Sequence, residues 1–147
     1  MRIKIIIPLF FLFVCRTVSA DCFEQAGYDS NIDPDLLRAI AKVESNFNHL
    51  AIGKNPVRGF GVGLMQIDSQ NFAHLRKFNI SPEMLLDACI NVYAGAYFLR
   101  LAVNRMGNNW DAVGAYNAGF SRKPQQIKRR YQYASKVRLH YRDLKKK

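Results

Sequence analysis

The sequence predicts a mainly α protein built as one domain, and three observations carry that reading. Its 147 residues, 49% of them hydrophobic, suffice for one buried core. Apolar residues recur at helical spacing through most of the chain. The one stretch rich in Gly and turn residues is confined to 51–67, and neither an internal repeat nor a low-complexity linker divides the rest.

At the N-terminus, Arg2 and Lys4 precede an apolar run from Ile5 to Val14, and Val18-Ser19-Ala20 supplies the small residues that signal peptidase prefers. Residues 1–20 therefore read as a signal peptide cut after Ala20, leaving 21–147 as the mature domain. That run is short of the about 20 apolar residues that span a bilayer, and no other segment approaches them, so no stable membrane insertion is expected. Cys15 raises a lipoprotein alternative, but Val14 before it and Arg16 after it suit lipid attachment poorly.

The first predicted helix starts at Pro34. Asp33 can cap it, Pro34 suits the first helical position, and Asp35 complements the positive end of the helix dipole. Leu36, Leu37, Ile40, Val43 and Phe47 share one face. Residues 51–67 are expected to form an irregular loop or a short hairpin. Asp68 can cap a short helix through Phe78. Ser81-Pro82-Glu83 opens the next, which runs to Gly107 and, being apolar nearly all round, is expected to be the central buried helix. A short helix follows from about Trp110 to Tyr116. Pro124 starts the last, with Ile127, Tyr131, Ala134, Val137, Tyr141 and Leu144 as its apolar stripe.

With the signal removed, Cys22 and Cys89 remain, and an even pair in an exported chain reads as one disulfide, the alternative being two buried free thiols. It would close a loop of about 68 residues, worth about 4 kcal/mol in the chain-entropy model. His49, His74 and His140 are scattered, with no metal-ligand spacing among them, so no metal is expected. Charge is uneven. Between Arg122 and Lys147 there are eleven Lys and Arg against one Asp, whereas Asp21 to Ser121 carries eight basic and ten acidic residues. The basic tail reads as a solvated helix face, or as a surface drawn to anionic envelope polymer, lipid or a docking partner.

Glu44 is the anomaly. It lies four residues after Ile40 and seven after Leu37, in or beside the apolar stripe, while Arg38 and Lys42 take the solvent side. A carboxyl among apolar neighbours loses hydration in its charged form, so its pKa rises and it keeps a proton for general acid catalysis. The plainer alternative is a glutamate at the stripe's edge that bends out to water.

Three short motifs bear on that choice: Glu44-Ser45, then Gly63-Leu64-Met65-Gln66-Ile67, then Ala115-Tyr116-Asn117-Ala118-Gly119. Each alone is weak, but their order and spacing together resemble the lytic transglycosylases of the soluble-lytic-transglycosylase type, whose fold is similar to goose-type lysozyme. The small size, export signal and "AVGAYNAGF" look, more narrowly, like the small transglycosylases that accompany bacterial type III secretion systems. The resemblance spans Asp21 to about Phe120; beyond that only the basic helical character matches.

That resemblance implies a single lysozyme-like domain with the loop or hairpin as one wall of a glycan groove, working in the periplasm without cofactor, as a monomer, on peptidoglycan glycan strands. It implies Glu44 as the sole catalytic acid and base, cutting the bond between N-acetylmuramic acid and N-acetylglucosamine with a 1,6-anhydro product. Ser45, Met65, Gln66 and Asn117 would line the groove, with Tyr116 hydrogen-bonding near Glu44. Asp68 is the nearest candidate for a lysozyme-type second carboxylate, its alternative role being a helix cap. Met65 and Tyr116 could equally be core residues. Secretion-system components are candidate partners for the basic tail, which is expected to serve docking more than bond cleavage. Two other classes compete: a non-catalytic envelope-binding scaffold that has kept the groove, and a nucleic-acid binder suggested by the pI near 9.9. The intact motifs argue against the first and the export signal against the second.

Overall fold

Helix caps written into the sequence set the architecture. The computed structural model describes residues 21–54 and 59–146, and within them lie six α-helices and a three-stranded antiparallel sheet. The expected signal peptide falls outside the described residues.

Helix α1 (Cys22–Ser30) is an element the sequence reading did not anticipate. Its signal was present: Asp21 accepts from Phe23 N at 3.1 Å as the cap, with Glu24 in the first turn. Helix α2 (Pro34–Ser45) starts as expected, Asp33 accepting from Asp35 N at 2.9 Å. It ends sooner than the apolar spacing suggests. Asn46 turns left-handed and Phe47 follows with φ of 65°, so Phe47 leaves the helical face and stays exposed, edge-on to Phe23. Arg38 binds α2 to α1 through Asp21 and Glu24, and pairs with Asp35 within its own helix.

The expected loop or hairpin is a small sheet, β1 (Ile52–Lys54), β2 (Phe60–Val62) and β3 (Ile67–Asp68), in the order β1-β2-β3, with Ile52 opposite Val62 and Val62 opposite Ile67. Asp68 then caps a 3₁₀ turn leading into α3 (Phe72–Leu75). The single helix expected from Ser81 to Gly107 is two elements. Glu83–Leu86 is a 3₁₀ turn, and Asp87, extended at ψ of 128°, breaks the chain and caps α4 (Ala88–Met106) through Ile90 N at 2.9 Å. Helix α4 buries one side, including Val92, Ala96 and Leu99, while Tyr93 and Leu101 on the other remain exposed; its even apolarity overstates its burial.

Helix α5 (Trp110–Ala118) ends at Gly119, and α6 (Pro124–Leu144) packs along α2 and α5. The expected stripe on α6 is rotated. Ile127 and Tyr131 face solvent, whereas Arg130, Tyr133, Ala134 and Val137 are buried. Two contacts force this. Arg130 pairs with Asp111 at 2.7 Å and donates to the carbonyls of Gly119 and Ser121 at 3.1 and 2.8 Å, closing the end of α5. At Gly114 a Cβ would lie 2.5 Å from the Arg130 carbonyl, so only glycine lets the two helices approach this closely. Cys22 and Cys89 form the expected disulfide, tying α1 to α4 with Cα atoms 5.3 Å apart. No helix among the described residues is long and apolar enough to cross a membrane.

Candidate active site

Glu44 sits in the last turn of α2, where the helix meets the sheet on one side and α6 on the other. It opens onto a groove of about 1120 Å³ lined by Gly53, Gly61, Gln66 and Asp68 from the sheet region, Tyr116 and Asn117 from α5, and Arg129, Tyr133 and Lys136 from α6. Val43, Ile67 and Phe98 supply apolar wall. Burial pushes the Glu44 carboxyl up to about 7, against an ordinary 4.5, and the hydrogen bond from Tyr133 partly offsets that rise. Tyr133 Oη donates to Glu44 Oε1 at 2.6 Å. A carboxyl so placed holds a proton at neutral pH in an appreciable fraction of molecules and can accept one back, as a single acid-base group must.

Below Glu44 the turn 63–66 is held by a buried clamp. The Asn91 carboxamide of α4 accepts from Met65 N at 2.7 Å and donates to Val62 O and Leu85 O at 2.8 and 2.7 Å. Gly63, with φ of 77°, fits against that carboxamide where a Cβ would collide with it. Gln66, also at positive φ, donates to Ala51 O and Gly63 O at 3.1 and 2.9 Å.

The motif residues divide in this geometry. Gln66 and Asn117 line the groove, as does Asp68, whose carboxylate accepts from Gln70 N at 2.8 Å as the cap of the following turn. Ser45 and Met65 are not among the lining residues. Ser45 Oγ donates to Leu64 O at 2.8 Å, stitching α2 to the turn, and Met65 is fully buried with its sulfur against Gly95. Both build the groove from behind. Tyr116 lines it, but its hydroxyl goes to Met65 O at 2.7 Å and not to the carboxylate. Burial first, and then the charge of Glu44, raise its pKa well above the phenol range, so it stays a neutral donor.

Tyr133 is the residue sequence reasoning passed over, in a tail read as remote from chemistry. Its spacing to Val137 and Tyr141, four residues each, was the available signal, hidden because Arg130 stands in the same buried stripe. Tyr133→Phe removes the bond that favours the charged carboxylate. The Glu44 pKa is then expected to rise further, moving the alkaline limb of kcat/KM to higher pH while the rate falls; an unmoved limb would show that the hydroxyl does not touch the titrating group.

Among the described residues no group of three His, Cys, Asp or Glu side chains could hold a metal ion. A model of the transglycosylase SLT domain matches residues 21–139. The chain belongs to the SLT transglycosylase family. It is a peptidoglycan lytic transglycosylase with the lysozyme-like fold of that family. Relatives of this SLT transglycosylase include an X polypeptide of Escherichia coli, 55% identical over 81% of this chain and 71% of the relative. Invasion protein IagB of Salmonella typhimurium is 44% identical over 95% of this chain and 86% of its own length, and Protein IpgF of Shigella flexneri is 38% identical over 88% and 84%. Among solved structures, the 70-kDa soluble lytic transglycosylase in complex with bulgecin A superposes with a TM-score of 0.67 at 27% identity, over 84% of this chain. An inactive mutant of lytic transglycosylase Slt from Pseudomonas aeruginosa gives 0.64 at 23%, over 82%, and shares the fold. This chain spans only 23% and 22% of those two longer proteins.

Proposed function

We propose that Glu44 is the sole acid and base of a non-hydrolytic cleavage of the β-1,4 bond between N-acetylmuramic acid and N-acetylglucosamine. The observation that carries this reading is a carboxyl raised to about 7 by burial, held by Tyr133, and open to the groove. Protonated Glu44 gives its proton to the glycosidic oxygen as the C1–O bond breaks, leaving an oxocarbenium-like centre. The carboxylate then takes the proton of the muramyl C6 hydroxyl while that oxygen bonds to C1. Glu44 ends protonated, ready for the next strand, and water is not consumed. Tyr133 steadies the carboxylate between the two steps, and Gln66, Tyr116 and Asn117 line the path of the sugar.

A lysozyme reading with Asp68 as second carboxylate is favoured by one observation, that Asp68 lines the same groove. The two separate in their products and in one variant. Digests of purified peptidoglycan are expected to yield muropeptides about 18 Da lighter than hydrolysis products, since the C6 hydroxyl replaces water. Asp68→Asn, which caps about as well as Asp, is expected to keep most activity. Reducing-end muramic acid as the main product, together with an inactive Asp68→Asn, would establish the hydrolase.

The N-terminal residues and the relatives support one biological setting. We propose that residues 1–20 are removed on export, that 21–147 act in the periplasm as a monomer, and that local opening of the wall clears space for a secretion system. The 44% identity to a protein named for invasion supports that setting.

A further inference from the structure

Two groups stand out among the cations of α6 and its flanking residues. Arg130 is buried against Asp111, Lys145 pairs with Asp33 and Asp35, Lys146 pairs with Asp143, and Arg138 lies over the Trp110 ring; these serve the fold. Lys123, Arg129 and Lys136 instead line the groove, and Lys54 of β1 adds a fourth positive charge from the sheet. None of these four is ion-paired among the described residues, Arg129 reaching only Gln126 Oε1 at 3.3 Å. Position matters as much as charge. Arg129 is four residues before Tyr133 and Lys136 three after it, so they lie one turn to either side of the residue that holds Glu44. With Lys123, the charges run over about 20 Å of one groove wall at the helical rise of about 1.5 Å per residue.

A glycan backbone of hydroxyls and acetamides gives such cations nothing to neutralise, and Gln125 and Gln132 on the same wall suit those neutral groups. The anionic groups on this polymer are the free carboxylates of the peptide stems carried by the muramic sugars. We propose that Lys123, Arg129 and Lys136 bind stem carboxylates beside the scissile bond, so that peptide-bearing strands are preferred over bare ones. The inference rests on the groove being the glycan site; given that, the tail is a specificity wall.

The test compares kcat/KM on peptide-bearing strands with that on strands stripped of peptides by an amidase. Exposed charge contacts contribute roughly a two- to threefold factor each, so the unmutated protein is expected to favour peptide-bearing strands about tenfold at low salt. High salt, and the triple variant Lys123→Gln, Arg129→Gln, Lys136→Gln, should both bring the ratio towards one. Lys128→Gln with Arg142→Gln, away from the groove, should keep it. If the triple variant melts early, each single change carries the same test with about a twofold effect. Equal rates on both substrates, a triple variant that keeps its preference, or equal loss in the control pair would overturn the proposal. Failure of the underlying function looks different, because neither substrate would then yield anhydro ends.

Discussion

Glu44→Gln is expected to lower kcat by about a thousandfold or more, the scale of a lost general acid and base, in a protein that melts no earlier than its parent. Glutamine keeps the shape and can still accept from Tyr133, but has no acidic proton to give the glycosidic oxygen. The stability effect depends on pH, and its sign is fixed. Folded Glu44 titrates near 7 and the unfolded residue near 4.5, so between these values the native state holds a proton that the unfolded state has released. The parent therefore loses stability as pH rises through that window. Above 7 the whole penalty applies, at most about 3 kcal/mol because water in the groove screens the charge. The variant has no such penalty. Thermal melts should then show the two proteins alike near pH 4 and the glutamine variant ahead at pH 8; a variant that is less stable at pH 8 would mean that the carboxylate is stabilised by something other than Tyr133.

The largest loss of stability is expected for Asn91→Ala. Its fully buried carboxamide serves Met65 N, Val62 O and Leu85 O, and alanine removes that partner from all three backbone groups while leaving a cavity in its place. At roughly 1–3 kcal/mol for each bond lost, partly relieved by local shifts and by the pairing of Val62 with Ile67, the cost is about 3–5 kcal/mol, or a melting temperature lower by about 10 °C or more. Activity should fall with it, since the turn 63–66 that carries Gln66 rests on this clamp. Denaturant titration measures the loss; a change below about 1 kcal/mol would show that the turn holds itself.

Local rules made much of this legible. Asp33 and Asp68 act as the caps their neighbours suggest, Pro34 and Pro124 open helices, and the placement of Glu44 against its own stripe marked it as a group to explain. What stayed hidden depends on contacts far apart in sequence. Glu44 and Tyr133 are separated by 89 residues, and nothing along α6 says that its tyrosine meets a carboxylate on α2. Arg130 looks like one more charge in a basic run, yet it is buried because Asp111 and two carbonyls satisfy it. Asn91 reads as an interruption in an apolar helix until the turn it clamps is in view. The cap at Asp87 interrupts a stretch that is apolar on both sides, so periodicity alone joins the two elements into one helix. Ser45 and Met65 show the converse limit: a motif marks residues that a site needs without saying whether they touch the substrate or hold what does.

Digestion of peptidoglycan in water enriched in the heavy oxygen isotope, followed by mass spectrometry of the muropeptides, tests the central claim most directly. If Glu44 works alone and the C6 hydroxyl is the nucleophile, the new muramyl ends carry no heavy oxygen. Stoichiometric incorporation of the heavy isotope at those ends would mean that water attacks C1, and the single-carboxylate account would fall.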